Sequence, residues 1–158
     1  MRNKTKPSRK GDCLRELSFI SRLYFANDNH YHLGVIYYTN FTMPLSKLIT
    51  ELESLETLIR NGQEPNKPNI LYKYLEMGEG YAESLEPKKY QTYTRLYKTL
   101  VDTISDPLVD INWRQLCLDN IHRPLQSLDK LAVTKSEKIM VNRLYRELNV
   151  VCQYFFYH

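Results

Sequence analysis

The sequence predicts an all-α fold, an irregular bundle of six or seven helices. In most of the chain, apolar residues recur at spacings of three and four, which is the period of an amphipathic helix. Only five glycines occur among the 158 residues, and so few glycines argue against folds built on many tight turns. A hydrophobic content of 42% and a charged content of 25% are typical of a globular domain, and this length is sufficient for a single core.

The first eleven residues differ from the rest of the chain. They contain no carboxylate, no apolar side chain after Met1, and five cations, which are Arg2, Lys4, Lys6, Arg9 and Lys10. Because nothing in this segment can be held by a core, we predict a disordered basic arm over 1–11 and a single helical domain over 12–158. The whole chain has a formal net charge of +4, so the domain itself is close to neutral.

The domain begins with a helix that is predicted from Asp12 to about Ala26. Asp12 is a suitable N-cap, and apolar residues follow it at helical spacing: Leu14, Leu17, Ile20, Leu23 and Tyr24. The next segment, from His30 to Thr42, has strand character because it is rich in β-branched and aromatic residues. An isolated strand cannot satisfy its own hydrogen bonds. The segment is therefore predicted either as an extended strand or as a further helix.

A long helix is predicted from Pro44, because proline suits the first helical position and Asn61-Gly62 is a typical C-terminal stop. Its apolar residues have heptad spacing: Leu45, Leu48, Leu52, Leu55 and Ile59. Two heptads are shorter than most coiled coils, so we interpret the segment as one helix of a bundle. Residues 63–69 contain two prolines and are predicted as a loop.

Prolines and glycines divide the second half of the chain into further helices. The predicted ranges are 70–85 with a break near Gly78, 87–105, 107–122, 124–133 and 136–155. Asp106 is interpreted as the N-cap of the third of these helices and Pro107 as its first residue. Pro124 is expected to end that helix or to kink it sharply. The last helix is predicted to bury a stripe that consists of Met140, Val141, Leu144, Leu148, Val151 and Phe155.

The chain ends with an aromatic run from Tyr154 to Tyr157, followed by His158. One helical face cannot bury side chains that point in all directions. The run is therefore predicted either to dock into the core or to form a contact surface, since tyrosine tolerates partial burial.

Two predicted helices carry cations that are candidates for contact with phosphates. These cations are Lys88, Arg95 and Lys98 on the helix after Pro87, and Arg143 and Arg146 on the last helix. Tyr93 and Tyr97 lie on the face opposite the first group. Because base stacking beside phosphate contacts would require both residue types on one side, an ordinary solvated face is the alternative interpretation for each group.

No motif for a nucleotide, a metal or a catalytic nucleophile occurs in the sequence. Three clusters contain residue types that occur in functional sites: His30 and His32 with Cys13 as a metal site, Asp102, Asp106 and Asp110 as a nuclease site, and Glu76, Glu79, Glu83 and Glu86 as a dock for a basic partner. None has the spacing of a known site, and solvated faces and helix caps account for them. We therefore expect a protein that is not an enzyme and has no cofactor or metal.

The three cysteines, Cys13, Cys117 and Cys152, are far apart and form no CxxC pair. They are interpreted as reduced thiols of a cytoplasmic protein. No window approaches 18 uninterrupted apolar residues, so no membrane partner is expected.

Two functional hypotheses follow. The first is a non-enzymatic DNA-binding accessory or regulatory protein, in which the five cations of the arm and the five cations of the two helices hold phosphates. The second is a protein–protein interaction module of the adaptor, inhibitor or effector type. It would bind through heptad-spaced and tyrosine-rich helix surfaces, since the chain has 13 tyrosines. The predicted partner is thus a nucleic acid or another protein, and self-association into a homo-oligomer is compatible with both.

Overall fold

The computed structural model describes residues 44–84 and 88–156, and these residues are all-α. Their six helices are α1 Leu45–Arg60, α2 Pro68–Ser84, α3 Lys89–Ser105, α4 Ile111–Asn120, α5 His122–Leu131 and α6 Lys135–Phe156. The prediction of an all-α bundle is confirmed for this part of the chain. The basic arm over 1–11, the helix over 12–26 and the segment 30–42 lie outside the described residues, so these features and the total number of helices stay predictions.

Helix α3 lies at the centre of the bundle and packs against each of the other five helices. Its apolar positions are buried at Tyr93, Leu96, Tyr97, Leu100 and Ile104, as the period of the sequence predicts. Three buried threonines along one further side of α3 donate their hydroxyl hydrogen bonds to carbonyls four residues earlier in the chain. Because these polar groups are satisfied within the helix, α3 can be enclosed on several sides at little cost.

The predicted break near Gly78 is wrong, because α2 is continuous from Pro68 to Ser84. Gly78 is buried against α3, and a Cβ atom at this position would lie 2.5 Å from Leu96 Cδ2. The glycine therefore permits a close approach of α2 and α3, and burial of the helix outweighs the weak helical propensity of glycine. Gly62 has the predicted role of a helix stop, since it has a φ of +56° directly after the C-cap residue of α1.

The predicted start of the fourth helix at Asp106-Pro107 is also wrong. Asp106 accepts a hydrogen bond from the Leu108 amide at 2.9 Å, which closes a short turn. The N-cap of α4 is Asp110, whose carboxylate accepts the Asn112 amide at 2.9 Å and the Trp113 amide at 3.3 Å. The additional turn places Val109 in the core.

The break that was expected at Pro124 falls earlier, at Ile121, which separates α4 from α5. Pro124 is the third residue of α5. An amide in the first turn has no acceptor within its helix, so the proline is accommodated there without a kink.

The described helices share one hydrophobic core, and two polar links join distant parts of it. The indole Nε1 of Trp113 donates to the Ile59 carbonyl at 3.1 Å and so joins α4 to the end of α1. The hydroxyls of Tyr74 and Thr99 lie 2.9 Å apart and join α2 to α3. Both bonds satisfy polar atoms that are otherwise enclosed by apolar side chains.

Candidate interaction surfaces

Arg95, one of the predicted phosphate contacts, is engaged by carboxylates of α1. Its guanidinium donates to Glu56 Oε2 at 2.6 Å and lies 3.9 Å from Glu53 Oε1. Partial burial disfavours the charged form of Arg95, but the hydrogen bond and the charge of Glu56 outweigh this effect and raise its pKa. Beside this group, Arg60 of α1 pairs with Asp102 of α3 at 2.7 Å. The charge of Arg95 is therefore balanced within the bundle.

Lys88 and Lys98, the other two candidates near α3, are exposed. Lys98 lies in an open groove of about 290 Å³ between α1 and α3, together with Gln91, Thr94 and Asp102. Neither lysine forms an ion pair with a residue in 44–84 or 88–156. Tyr93 and Tyr97 are buried on the opposite side of α3, which confirms the predicted separation of tyrosines from cations on this helix.

The acidic residues of α2 are used largely within the fold. Glu79 forms two hydrogen bonds with the Arg123 guanidinium, at 3.0 and 2.7 Å. Burial raises the pKa of Glu79 even though Arg123 favours its charged form. Glu83 pairs with Lys89 at 2.6 Å and accepts the Tyr93 hydroxyl at 2.9 Å. These contacts engage Glu79 and Glu83 within the fold, whereas Glu86 lies outside the described residues.

The aspartates of the nuclease interpretation have separate structural roles. Asp102 pairs with Arg60, Asp106 closes a turn and Asp110 caps α4. Within the described ranges, no three side chains of histidine, cysteine, aspartate or glutamate come together as a metal site would require.

Helix α6 is held to the bundle along one side and at its end. The Tyr97 hydroxyl donates to the Leu144 carbonyl at 2.8 Å and lies 3.3 Å from Glu147 Oε2. At the C-terminal end, the buried Arg114 guanidinium lies 4.8 Å from the ring centroid of Phe155 and 5.4 Å from that of Phe156. Part of the terminal aromatic run thus docks on α4, as one of the two predictions requires.

The side of α6 that points away from the core carries exposed apolar residues. Val141, Leu148 and Cys152 form the buried line of this helix. On the opposite line lie Ile139, Arg143, Arg146, Val150 and Tyr154, and we call these five residues the α6 outer face. The exposed fractions of its apolar side chains are 48% for Ile139, 64% for Val150 and 67% for Tyr154. Met140, which was predicted in the buried stripe, is half exposed beside this face.

The cations of α6 are not balanced by carboxylates in the described part of the chain. Arg143 and Arg146 are exposed and form no ion pair there, and the same holds for Lys135 and Lys138 near the start of the helix. Glu137 accepts hydrogen bonds from the amides of Val133 and Thr134 at the helix start, and these bonds lower its pKa. The α6 outer face is therefore both apolar and positively charged.

The sequence predicted the position of Arg143 and Arg146, but it did not single out Ile139 and Val150. These two residues are apolar side chains on the polar side of an otherwise regular amphipathic pattern, and that mismatch was the available signal. No described helix is both long and apolar enough to cross a lipid bilayer. No protein-family model, no curated protein and no solved structure matches this chain.

Proposed function

We propose that this protein is a non-enzymatic protein-interaction module, of the adaptor, inhibitor or effector type, whose α6 outer face binds an acidic amphipathic helix. The observation that carries the proposal is one exposed line on which apolar side chains flank two arginines that lack a carboxylate partner among the described residues. Apolar anchors with arginine between them are typical of protein interfaces.

The apolar side chains on and beside the α6 outer face offer only a limited gain in binding free energy. Burial of a large apolar side chain contributes about 1.5–3 kcal/mol when it is complete, and Ile139, Met140, Val150 and Tyr154 still have about half or more of their surface available. Their combined gain of roughly 3–7 kcal/mol is similar to the cost of association, which is about 4 kcal/mol or more. Ion pairs with the exposed Arg143 and Arg146 add about 0–1 kcal/mol each and favour an acidic partner over a basic one, so the affinity should fall as the salt concentration rises.

A second copy of this chain is a poorer occupant of the same face. In an antiparallel pair of α6 helices, Arg143 and Arg146 of both copies would meet near the centre. Like charges brought together at an interface oppose association. A helix with carboxylates on both sides of its apolar stripe has the complementary pattern.

The test uses the full chain and two labelled three-heptad peptides with leucine at the core positions, one flanked by glutamate and the other by lysine. We expect the glutamate peptide alone to bind with measurable fluorescence anisotropy. The double variant Arg143→Glu/Arg146→Glu should weaken this binding by at least about tenfold. Lys67→Glu, which reverses an exposed cation far from α6 in the sequence, should not.

Equal binding of the two peptides, or binding that the α6 variant leaves unchanged, would refute the proposed face. Val150→Asp gives a second check, because it removes an apolar anchor at an exposed position. Circular dichroism of each variant establishes that the bundle is intact.

A DNA-binding accessory or regulatory role is the second candidate, and the concentration of five cations in the first ten residues favours it. In this proposal the arm cations hold phosphates together with Lys88, Lys98, Arg143 and Arg146, which are exposed. Arg95 is a weaker candidate because Glu56 occupies its guanidinium. The affinity for duplex DNA should fall steeply with salt, and deletion of residues 1–10 should reduce the slope by up to about five phosphate contacts. A salt-insensitive complex, or none, would exclude this role.

A further inference from the structure

The exposed positive charge of α6 is confined to the first half of the helix. Its four cations, all of them exposed, are Lys135, Lys138, Arg143 and Arg146. The ten residues from Glu147 to Phe156 contain no lysine or arginine. A partner that lies along the α6 outer face therefore meets positive charge near the start of α6 and none of its cations near the end.

The two lysines lie at the end of α6 where a helix tolerates cations least. Lys135 and Lys138 are in the first turn, and the helix dipole disfavours positive charge there. Neither lysine forms an ion pair with a described residue. Glu137 lies between them in the sequence, but its carboxylate accepts the amides of Val133 and Thr134. Within the described part of the chain, the start of α6 thus carries positive charge that nothing compensates.

The opposite end of α6 presents no exposed cation. Arg114 of α4 packs against the rings of Phe155 and Phe156, but only 7% of its surface is exposed, so a partner on the outer face would not contact it. The last turn of α6 contains no basic residue. The last carbonyls of a helix carry partial negative charge, and this end of α6 is therefore suited to the amino terminus of a neighbouring helix.

We propose that the acidic helix on the α6 outer face runs antiparallel to α6 and ends beside Lys135 and Lys138. The inference rests on the proposed function, to which it adds the direction of the partner. In this direction the last carbonyls of the partner, which have no donor within their own helix, face two lysines that can donate to them. In the parallel direction, the positive first turn of the partner would face the same lysines and oppose binding.

The length of α6 fits a partner of about three heptads. Helix α6 has 22 residues and is therefore about 33 Å long, whereas a helix of three heptads is about 31 Å long. By the helical period, Lys135 lies on the same flank of the outer face as Arg146, and Lys138 lies further round on that side. A partner centred on the outer face thus places its final turn beside the first turn of α6.

The test uses the full chain and two labelled peptides of three heptads, with leucine at the core positions and identical composition. The C-acidic peptide has glutamate beside the core in its second half and glutamine in its first half, and the N-acidic peptide has the reverse. Both carry the same hydrocarbon staple, and circular dichroism establishes that they are equally helical. With glutamates over the cations of α6, the C-acidic peptide lies antiparallel and the N-acidic peptide lies parallel.

We expect the C-acidic peptide to bind about three- to tenfold more tightly in fluorescence anisotropy, because a charge near a helix end has a modest effect. Lys135→Gln/Lys138→Gln should reduce this preference to less than about twofold. Lys47→Gln/Lys98→Gln is the matched control, since it removes two exposed cations from α1 and α3 and changes the net charge equally. The control should leave the preference unchanged.

Photocrosslinking measures the direction itself. A benzophenone group on the last residue of the C-acidic peptide should label the start of α6, around Ile139 and Met140. The same group on the first residue should label the end of α6, around Tyr154. Mass spectrometry of the tryptic fragments identifies the labelled residues.

The failure of the direction and the failure of the proposed function give different results. If neither peptide binds, or if Arg143→Glu/Arg146→Glu leaves the binding unchanged, the proposed function and the direction are both wrong. If the two peptides bind equally well, or if the crosslinks show a parallel helix, the proposed function stands and the direction is wrong. The direction is also wrong if the control variant abolishes the preference as fully as Lys135→Gln/Lys138→Gln does.

Discussion

The hydroxyl of Tyr97 lies 2.8 Å from the carbonyl oxygen of Leu144, and this bond joins the central helix α3 to α6. The same hydroxyl is 3.3 Å from Glu147. Burial and the neighbouring Glu147 carboxylate together raise the pKa of Tyr97 well above its usual value, so the hydroxyl remains a donor even in alkaline solution. The orientation of the α6 outer face therefore depends on a tyrosine that the sequence alone shows only as a core residue.

Tyr97→Phe should destabilise the protein by about 1 kcal/mol, because it removes this donor without changing the shape of the core. The expected decrease in Tm is roughly 2–4 °C. Thermal unfolding followed by circular dichroism measures it. Tyr90→Phe, on the same helix but half-buried, is the matched control and should change Tm by much less. Equal effects of the two substitutions would contradict the assigned role.

Gly78→Ala should destabilise the bundle despite the higher helical propensity of alanine. The propensity gain is about 1 kcal/mol, but the new Cβ would lie 2.5 Å from Leu96 Cδ2 in a buried contact, and overpacking costs about 1–3 kcal/mol. Urea unfolding should show a net loss of up to about 2 kcal/mol. In combination with Leu96→Ala, which makes room, the loss should be smaller than the sum of the two single effects. Additive losses would show that the close approach is not the cause.

Asp110→Ala should lower the free energy of unfolding by about 1 kcal/mol, because it removes the cap of α4. Asp106→Ala removes the carboxylate of the preceding turn and is expected to cost less, since Asp106 accepts only the Leu108 amide. Urea denaturation of both variants compares them directly. A larger loss for Asp106→Ala would contradict the role of Asp110 as the main cap of this region.

Arg123→Ala should destabilise the protein more at neutral than at acidic pH. Burial already raises the pKa of Glu79 in the folded state, and without Arg123 this pKa should rise further. A group whose pKa is raised by folding contributes stability below its unfolded pKa and loses that contribution as the pH rises through its folded pKa. We expect a loss of about 2 kcal/mol at pH 7 and a smaller loss near pH 4, measured by urea denaturation.

Glu79→Gln in the Arg123→Ala background provides the control for this pH dependence. It removes the titrating carboxyl, so the stability difference between the two pH values that Arg123→Ala introduces should largely disappear. If the difference persists, another group is responsible.

The sequence predicted most helices well because their apolar period is regular. The sequence predicts the last helix over 136–155, and the structure has it over Lys135–Phe156; the stop at Asn61-Gly62 is confirmed. The prediction at Gly78 was wrong because the sequence shows the low helical propensity of glycine but does not show that Gly78 packs against Leu96. Asp106 and Asp110 are both good caps, and only the burial of Val109 and Trp113 decides between them.

The candidate surfaces were less predictable, since they depend on contacts between distant residues. The sequence predicts Arg95 as a phosphate contact, but in the structure its partner is Glu56 of another helix, 39 residues earlier. The exposure of Arg143 and Arg146 followed from the helical period. Ile139 and Val150 have the same residue types as core positions, so their exposure becomes clear only when the neighbours of α6 are known.

The central position of α3 limits how the bundle can unfold in parts. Since all five of the other described helices rest on it, none can detach without exposing part of the α3 surface to water. We expect the backbone amides of α3 to exchange with deuterium only through global unfolding. The backbone amides of the loop at 61–67 should instead exchange through small local fluctuations.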